Sequence, residues 1–211
     1  SEANESSIKM AQAYHVRNGD RGRYKIISID GSFHGSTYLT EWLGGHPGFP
    51  RTDYQPSPQH LIHVEQPNYY RRKYDKESIN EFTDRLIQDI EEKILFHGPE
   101  SISCFIGEPV SQPLGGVVPP KDYWPRVKEI CTKYGILLIF DEVITGFGRL
   151  GDWFGSNIVN TVPDILSFAK GITSGYFPLG GSISSNNISS VFNGEPSNAW
   201  SHMYTYSAHP G

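Results

Sequence analysis

Five consecutive apolar residues, Ile136 to Phe140, run straight into two acids, Asp141 and Glu142. A short apolar run ending on charge reads as a strand that presents its chemistry at its carboxyl end. Upstream, Lys121 to Tyr134 has the pattern of a helix stopped by Gly135, where helix ends favour glycine. Before that helix, Ser101 to Ile106 reads as another strand. Strand, helix and strand at this spacing predict a right-handed parallel crossover, which commits the chain to an α/β fold. A second apolar segment lies in Asp164-Ile-Leu-Ser-Phe-Ala-Lys170 and is also expected to end on a charge, at Lys170. An open α/β sheet binds ligands in the crevice outside the carboxyl ends of its strands. Asp141 and Lys170 are therefore expected at one such crevice.

The remaining segments fit the same layered plan. Ser1 is a good N-cap, and Ala3, Ile8, Ala11 and Tyr14 form a helical stripe that runs up to Asn18-Gly19. Tyr24 to Asp30 reads as a strand. Ser78-Ile-Asn-Glu81 is a capping box, followed by Phe82, Leu86, Ile90 and Ile94 on one helix face that ends near Gly98-Pro99. Gly180 to Ser185 predicts one more strand, and Met203 to Tyr206 reads on its own as a strand edge. Residues 31–77 are rich in Gly, Pro, His and Tyr, and only His60 to Val64 looks strand-like. A stretch this long without periodicity is more often functional than idle. The expectation is a single α/β layer sandwich.

Length and charge narrow the function. A chain of 211 residues holds one large domain or two small ones. The net charge is −5, and the densest basic cluster, Arg71-Arg72-Lys73, reads as a solvated loop, so nucleic acid is not an expected partner. Cys104 and Cys131 each lie inside an apolar stretch and are expected as buried reduced thiols, consistent with a cytoplasmic protein. No run approaches the ~20 apolar residues of a membrane span, and no signal peptide opens the chain. No membrane partner and no metal site are expected.

A carboxylate and an amine at one sheet edge suit pyridoxal phosphate (PLP) especially well. That cofactor needs a lysine to hold its aldehyde as a Schiff base and an acid for its ring nitrogen. Ile136 to Glu142 also has the look of a Walker B strand, but that reading requires a Gly-x-x-x-x-Gly-Lys-Ser/Thr loop, which the chain lacks. A Rossmann dehydrogenase would need Gly-x-Gly-x-x-Gly after its first strand, and this is missing too.

The two segments closely resemble the signature of the class III PLP aminotransferases. Further landmarks of that family appear in order: Ser1-Glu2-Ala3-Asn4, Phe33-His34-Gly35, Glu108-Pro109-Val110 and Thr205-Tyr206-Ser207. The resemblance implies the aspartate aminotransferase type fold (fold type I), here as a PLP-binding large domain over residues 1–211. It also implies that the chain is the middle of a longer protein, lacking an N-terminal segment and a small C-terminal domain. Lys170 is then the Schiff-base lysine, with an amine kept neutral by burial and nearby positive charge, and Asp141 the partner of the ring nitrogen. Val143 and Phe33 match the residues that pack on the two faces of the ring. Glu108 matches a glutamate near the cofactor, the alternative being a solvated strand-end acid. His34 stands open between a cofactor contact and a structural histidine. The start of the first helix, at Ser1, offers N–H donors and a positive helix end to the phosphate.

Thr205 matches a residue that reaches the phosphate of a neighbouring subunit, which implies a homodimer with shared sites. Asp141 to Arg149, with Ile144 in place of a glutamine, is similar to the ω-amino-acid:pyruvate and amine:pyruvate group. The implied partners are a small amino donor and a keto acid. A racemase, aminomutase or decarboxylase of the same fold, or a non-catalytic relative, would share many of these features.

Overall fold

The computed structural model describes residues 1–49 and 51–208. The chain runs through α1 (Glu2–Arg17), β1 (Lys25–Ile29), α2 (Tyr38–Gly44), β2 (Leu61–Val64), α3 (Ile79–His97) and β3 (Ile102–Gly107). It continues through α4 (Tyr123–Tyr134), β4 (Leu137–Asp141), α5 (Gly155–Ile158), β5 (Ile165–Phe168), β6 (Gly181–Ser184) and α6 (Asn186–Ser190). Six strands form one sheet in the order β2-β1-β3-β4-β5-β6. All neighbours are parallel except β5 and β6, which are antiparallel. The expected α/β sandwich with a mostly parallel sheet is what forms.

Both faces of the sheet are covered, which is why its central strands read as nearly continuous apolar runs. Ile27, Phe105, Leu138 and Phe140 pack with Phe82, Leu86, Ile90 and Ile94 of α3 and with Trp124 and Val127 of α4. Their chain neighbours Ile26, Cys104, Ile106 and Ile139 point the other way, against Ile8 and Ala11 of α1 and Leu43 of α2. The period of 2 thus splits each strand between two cores. The last residue of β3, Gly107, is glycine because a Cβ there would come within 2.4 Å of the Trp124 ring. That ring is itself held by its Nε1–H donating to Pro109 O at 3.0 Å.

The helix boundaries follow from local chemistry. In α3, the Ser78 N–H donates to Glu81 Oε2 at 2.8 Å while Glu81 N donates back to Ser78 Oγ at 3.3 Å. Gly135 ends α4 in the left-handed conformation, with φ +66°. Cys104 and Cys131 are both buried and unpaired with each other. Burial pushes the Cys104 thiol up to about 12. Among the described residues no helix is long and apolar enough to cross a membrane.

Three local expectations are corrected. The 31–77 region contains α2, whose seven residues are too few for a helical stripe to stand out. The strand before Lys170 stops at Phe168, and Lys170 opens a one-turn 3-10 helix, Lys170–Thr173. Residues 203–206 form no strand. Instead Trp200 stacks on His202, which meets Tyr204 edge-on, and the segment docks on α1, with His202 Nε2 2.8 Å from Ser6 Oγ.

Candidate active site

Successive connections leave β1 toward β2 on one side and return to β3 on the other, so the order reverses at the β1/β3 junction. Crevices outside the carboxyl ends at such a junction are the preferred ligand sites of open α/β sheets. A cavity of about 330 Å³ lies there. Ser1, Phe33, His34, Glu108, Asp141, Val143 and Lys170 all line it, so seven residues singled out from sequence converge on one hollow.

Asp141, the last residue of β4, is the most constrained of them, at 4% exposed. Its Oδ2 accepts from His34 Nδ1 at 2.9 Å and from Asn4 Nδ2 at 2.7 Å, while its Oδ1 accepts from Val143 N at 3.1 Å. On the far side of the imidazole, His34 Nε2 lies 3.1 Å from Ser32 Oγ, whose hydroxyl donates to Ile29 O at 2.7 Å. The two readings of His34 left open by the sequence merge, because the ring lines the cavity and braces Asp141.

Glu108 follows the end of β3 and is buried, so it is no solvated strand-end acid. Burial pushes its carboxyl up to about 7; the nearby His34 opposes the shift and the Asp141 charge adds to it. Its Oε1 accepts from Phe33 N at 3.2 Å, tying the end of β3 to the loop after β1. Phe33 packs against Phe49 with ring centroids 4.7 Å apart and planes 33° from parallel.

Lys170 is exposed, and among the described residues its amine has no hydrogen-bond partner. Its φ of +44° lies in the left-handed region, as does that of Phe147 at +58°. Such strain in non-glycine residues concentrates at functional sites. The two strained segments touch, since a Cβ on Gly171 would stand 3.0 Å from Phe147 Cβ. Beside them a second hollow of about 320 Å³ includes Lys170, Phe147 and Arg149 in its walls.

The residues present suit PLP. In α1 the first backbone bond runs from Glu5 N to Ser1 O at 3.0 Å, which leaves the N–H groups of Glu2, Ala3 and Asn4 without a carbonyl in the helix. The loop after β1 closes tightly over this helix start. Ser36 N donates to Ser1 Oγ at 2.9 Å, and a Cβ on Gly35 would come within 2.5 Å of Ser1. One cavity therefore offers a helix amino end for an anion, an amine for an aldehyde and a braced carboxylate for a ring nitrogen.

Thr205 is the exception. It is exposed, lies in a turn and takes no part in the cavity of its own chain. The segment around it is pinned to α1 by His202 and by Tyr204 Oη, which donates to Glu2 O at 3.3 Å. Two residues escaped the sequence reading. Asn4 falls inside the first landmark, but nothing in its spacing announces the bond to Asp141. Glu142 is fully buried and accepts from Thr145 Oγ1 at 2.6 Å, Gly155 N at 2.7 Å and Ser156 N at 2.7 Å. It ties the loop that carries Val143 and Ile144 to the start of α5. An acid directly after a strand-end acid was the available signal.

Comparison with known proteins gives the family. The chain is 41% identical over 212 residues to gamma-aminobutyrate transaminase 1, mitochondrial, of Oryza sativa subsp. indica, covering 100% of this chain and 41% of that protein. It is 40% identical over 210 residues to the putrescine–pyruvate aminotransferase of Pseudomonas aeruginosa, covering 100% of this chain and 45% of that protein. The chain thus spans less than half the length of these relatives. Among solved structures, an (S)-enantioselective omega-transaminase from Thermomicrobium roseum superposes with a TM-score of 0.85 at 45% identity, over 90% of this chain and 42% of that one. An amine transaminase from an uncultivated Pseudomonas species, in its PLP-bound internal aldimine form, superposes with a TM-score of 0.91 at 37% identity, over 97% of this chain and 46% of that one. The family description Aminotransferase class-III matches residues 1–211, and the chain belongs to that PLP-using family.

Proposed function

We propose that the protein is a PLP-dependent aminotransferase that moves an amino group from an amine or ω-amino acid to a keto acid such as pyruvate. The observation that carries this reading is the shared cavity of Lys170, Asp141 and the amino end of α1. The relatives named for gamma-aminobutyrate, putrescine and pyruvate support the choice of donor and acceptor.

When bound, PLP supplies an electron-accepting ring in conjugation with the reacting carbon. The chain's own residues do the rest. Lys170 would hold the aldehyde end, and its Nζ would serve as the base that takes a proton from the donor's nitrogen-bearing carbon. Asp141 would present its carboxylate to the ring nitrogen, and Phe33 and Val143 would cover the ring faces. The first turn of α1, with Ser1, would bind the phosphate. His34 holds Asp141 in place, and Glu108 ties the end of β3 to the loop that carries Phe33.

We further propose a homodimer with shared sites, in which Thr205 serves the phosphate of the partner subunit. A lysine amine acts as a base only when neutral, and enclosure favours that form. Lys170 is exposed in this chain, which supports a covering surface supplied from elsewhere. The chain is the PLP-binding large domain of a longer protein, in keeping with its share of the relatives' length. Two buried free thiols support a reducing compartment such as the cytoplasm.

The test is borohydride reduction of the PLP-loaded full-length protein followed by peptide mapping, then incubation with an amine and pyruvate. Cofactor trapped on Lys170, with alanine and a carbonyl product formed together, is expected. Trapping on another lysine would overturn the role of Lys170. PLP bound without amino transfer would favour a racemase, aminomutase or decarboxylase.

A further inference from the structure

Asn4 sits in the first turn of α1 and is 1% exposed. Its Nδ2 donates to Asp141 Oδ2 at 2.7 Å and to the backbone carbonyl of His34 at 2.7 Å. One side-chain amide therefore joins the helix start, the loop after β1 and the end of β4. The same carboxylate oxygen also receives His34 Nδ1 at 2.9 Å, and Val143 N holds the other oxygen at 3.1 Å. Rotation of the Asp141 carboxylate is opposed from three directions, and Asn4 is the donor that also grips the backbone beside Phe33.

This placement carries a cost. Among the described residues, Asn4 Oδ1 is buried without a hydrogen-bond partner. An unpaired buried acceptor is unfavourable, and asparagine is a weaker helix former than alanine. Helix stability alone therefore does not account for this residue at this position, whereas its two bonds both end on groups of the cavity.

Resting on the PLP reading above, we propose that Asn4 is a positioning residue that sets the angle of the Asp141 carboxylate relative to the Phe33–His34 backbone. In doing so it fixes the orientation of the bound pyridine ring. Sites of this kind tolerate displacements of only about 0.5 Å before the held group loosens. Without Asn4, His34 and Val143 still hold Asp141, but the link from the carboxylate to the ring-covering loop is cut.

The experiment titrates full-length apoprotein with PLP for wild type, Asn4→Leu and Asn4→Ala. It records the Kd and the visible circular dichroism per bound cofactor, a signal produced only by a ring held in a fixed asymmetric setting. Thermal unfolding of each apoprotein is followed in parallel, and Asn4→Ala serves if Asn4→Leu fails to fold. The expected result is a Kd weakened about tenfold. Dichroism per bound cofactor should fall at least about twofold. Apoprotein melting should stay within roughly 4 °C of wild type. Wild-type values of either the Kd or the dichroism in the variants overturn the positioning role. A wild-type protein that develops no visible cofactor band overturns the PLP reading and this inference with it, so the two failures are told apart by the wild-type arm.

Discussion

His34 Nδ1 stands 2.9 Å from Asp141 Oδ2, with the two side chains 0% and 5% exposed. The residues lie 107 positions apart, one in the loop after β1 and the other at the end of β4. An isolated carboxylate buried this deeply would be strongly unfavourable, but paired and hydrogen-bonded it persists. The pairing converts a strand-end acid into a rigid charge facing the cavity, and four expectations follow from this and its surroundings.

Asp141→Asn should separate catalysis from folding only in part. The carboxylate accepts three hydrogen bonds, whereas a carboxamide has one oxygen. With that oxygen facing His34 and Asn4, the new amide N–H groups oppose Val143 N–H. Urea unfolding of the apoprotein should show a loss of about 1–3 kcal/mol. Turnover should fall by roughly three powers of ten, about 4 kcal/mol of barrier. Turnover within tenfold of wild type would contradict the role assigned to the ring-nitrogen partner.

Glu108 should make the apoprotein less stable as pH rises. Burial raises its carboxyl from the ordinary value of 4.5 to about 7. Between those values the folded state holds a proton that the unfolded state has released, so stability falls through this window and stays lower above it. Glu108→Gln removes the titration while keeping an oxygen for Phe33 N. Relative to wild type it should gain stability from pH 5 to pH 8, by at most about 2–3 kcal/mol. Parallel stability curves for the two proteins across this range would refute the assignment.

Glu142→Ala should loosen the loop between β4 and α5. Three donors, Thr145 Oγ1, Gly155 N and Ser156 N, lose their shared acceptor. Leaving buried donors unmet costs about 1–3 kcal/mol each, so a total near 3 kcal/mol or more is expected. Chemical unfolding checks the magnitude, and limited proteolysis should cut first within residues 146–153. Glu142→Gln, which keeps an acceptor, should recover part of the loss.

A mixed dimer tests the placing of Thr205. A neutral donor to a charged acceptor contributes about 1.5–3 kcal/mol, so Thr205→Val should weaken PLP retention roughly ten- to a hundredfold. When Lys170→Ala and Thr205→Val subunits are combined, the one site that keeps its lysine takes its threonine from the Lys170→Ala subunit. That site should retain PLP as tightly as wild type. Retention as weak as in the Thr205→Val homodimer would mean that Thr205 acts within its own subunit or not at all.

Local chemistry in the sequence determined most of the scaffold. The capping box at Ser78, the stop at Gly135 and the apolar runs of β3 and β4 act over a few residues, and each element forms where its pattern predicts. Asp141 and Lys170 were legible for the same reason, as charges placed just beyond such runs. Tertiary structure decided what those charges meet. Asn4 reaches His34 across 30 positions and Asp141 across 137, separations over which no periodicity carries information. The burial of Glu108 and Glu142 depends likewise on loops closing over strand ends, because an acid's exposure is set by its neighbours in space. Helix α2 remained hidden because two turns are too short to show a stripe, and its buried Thr40, Trp42 and Leu43 acquire their meaning only when packed on the sheet.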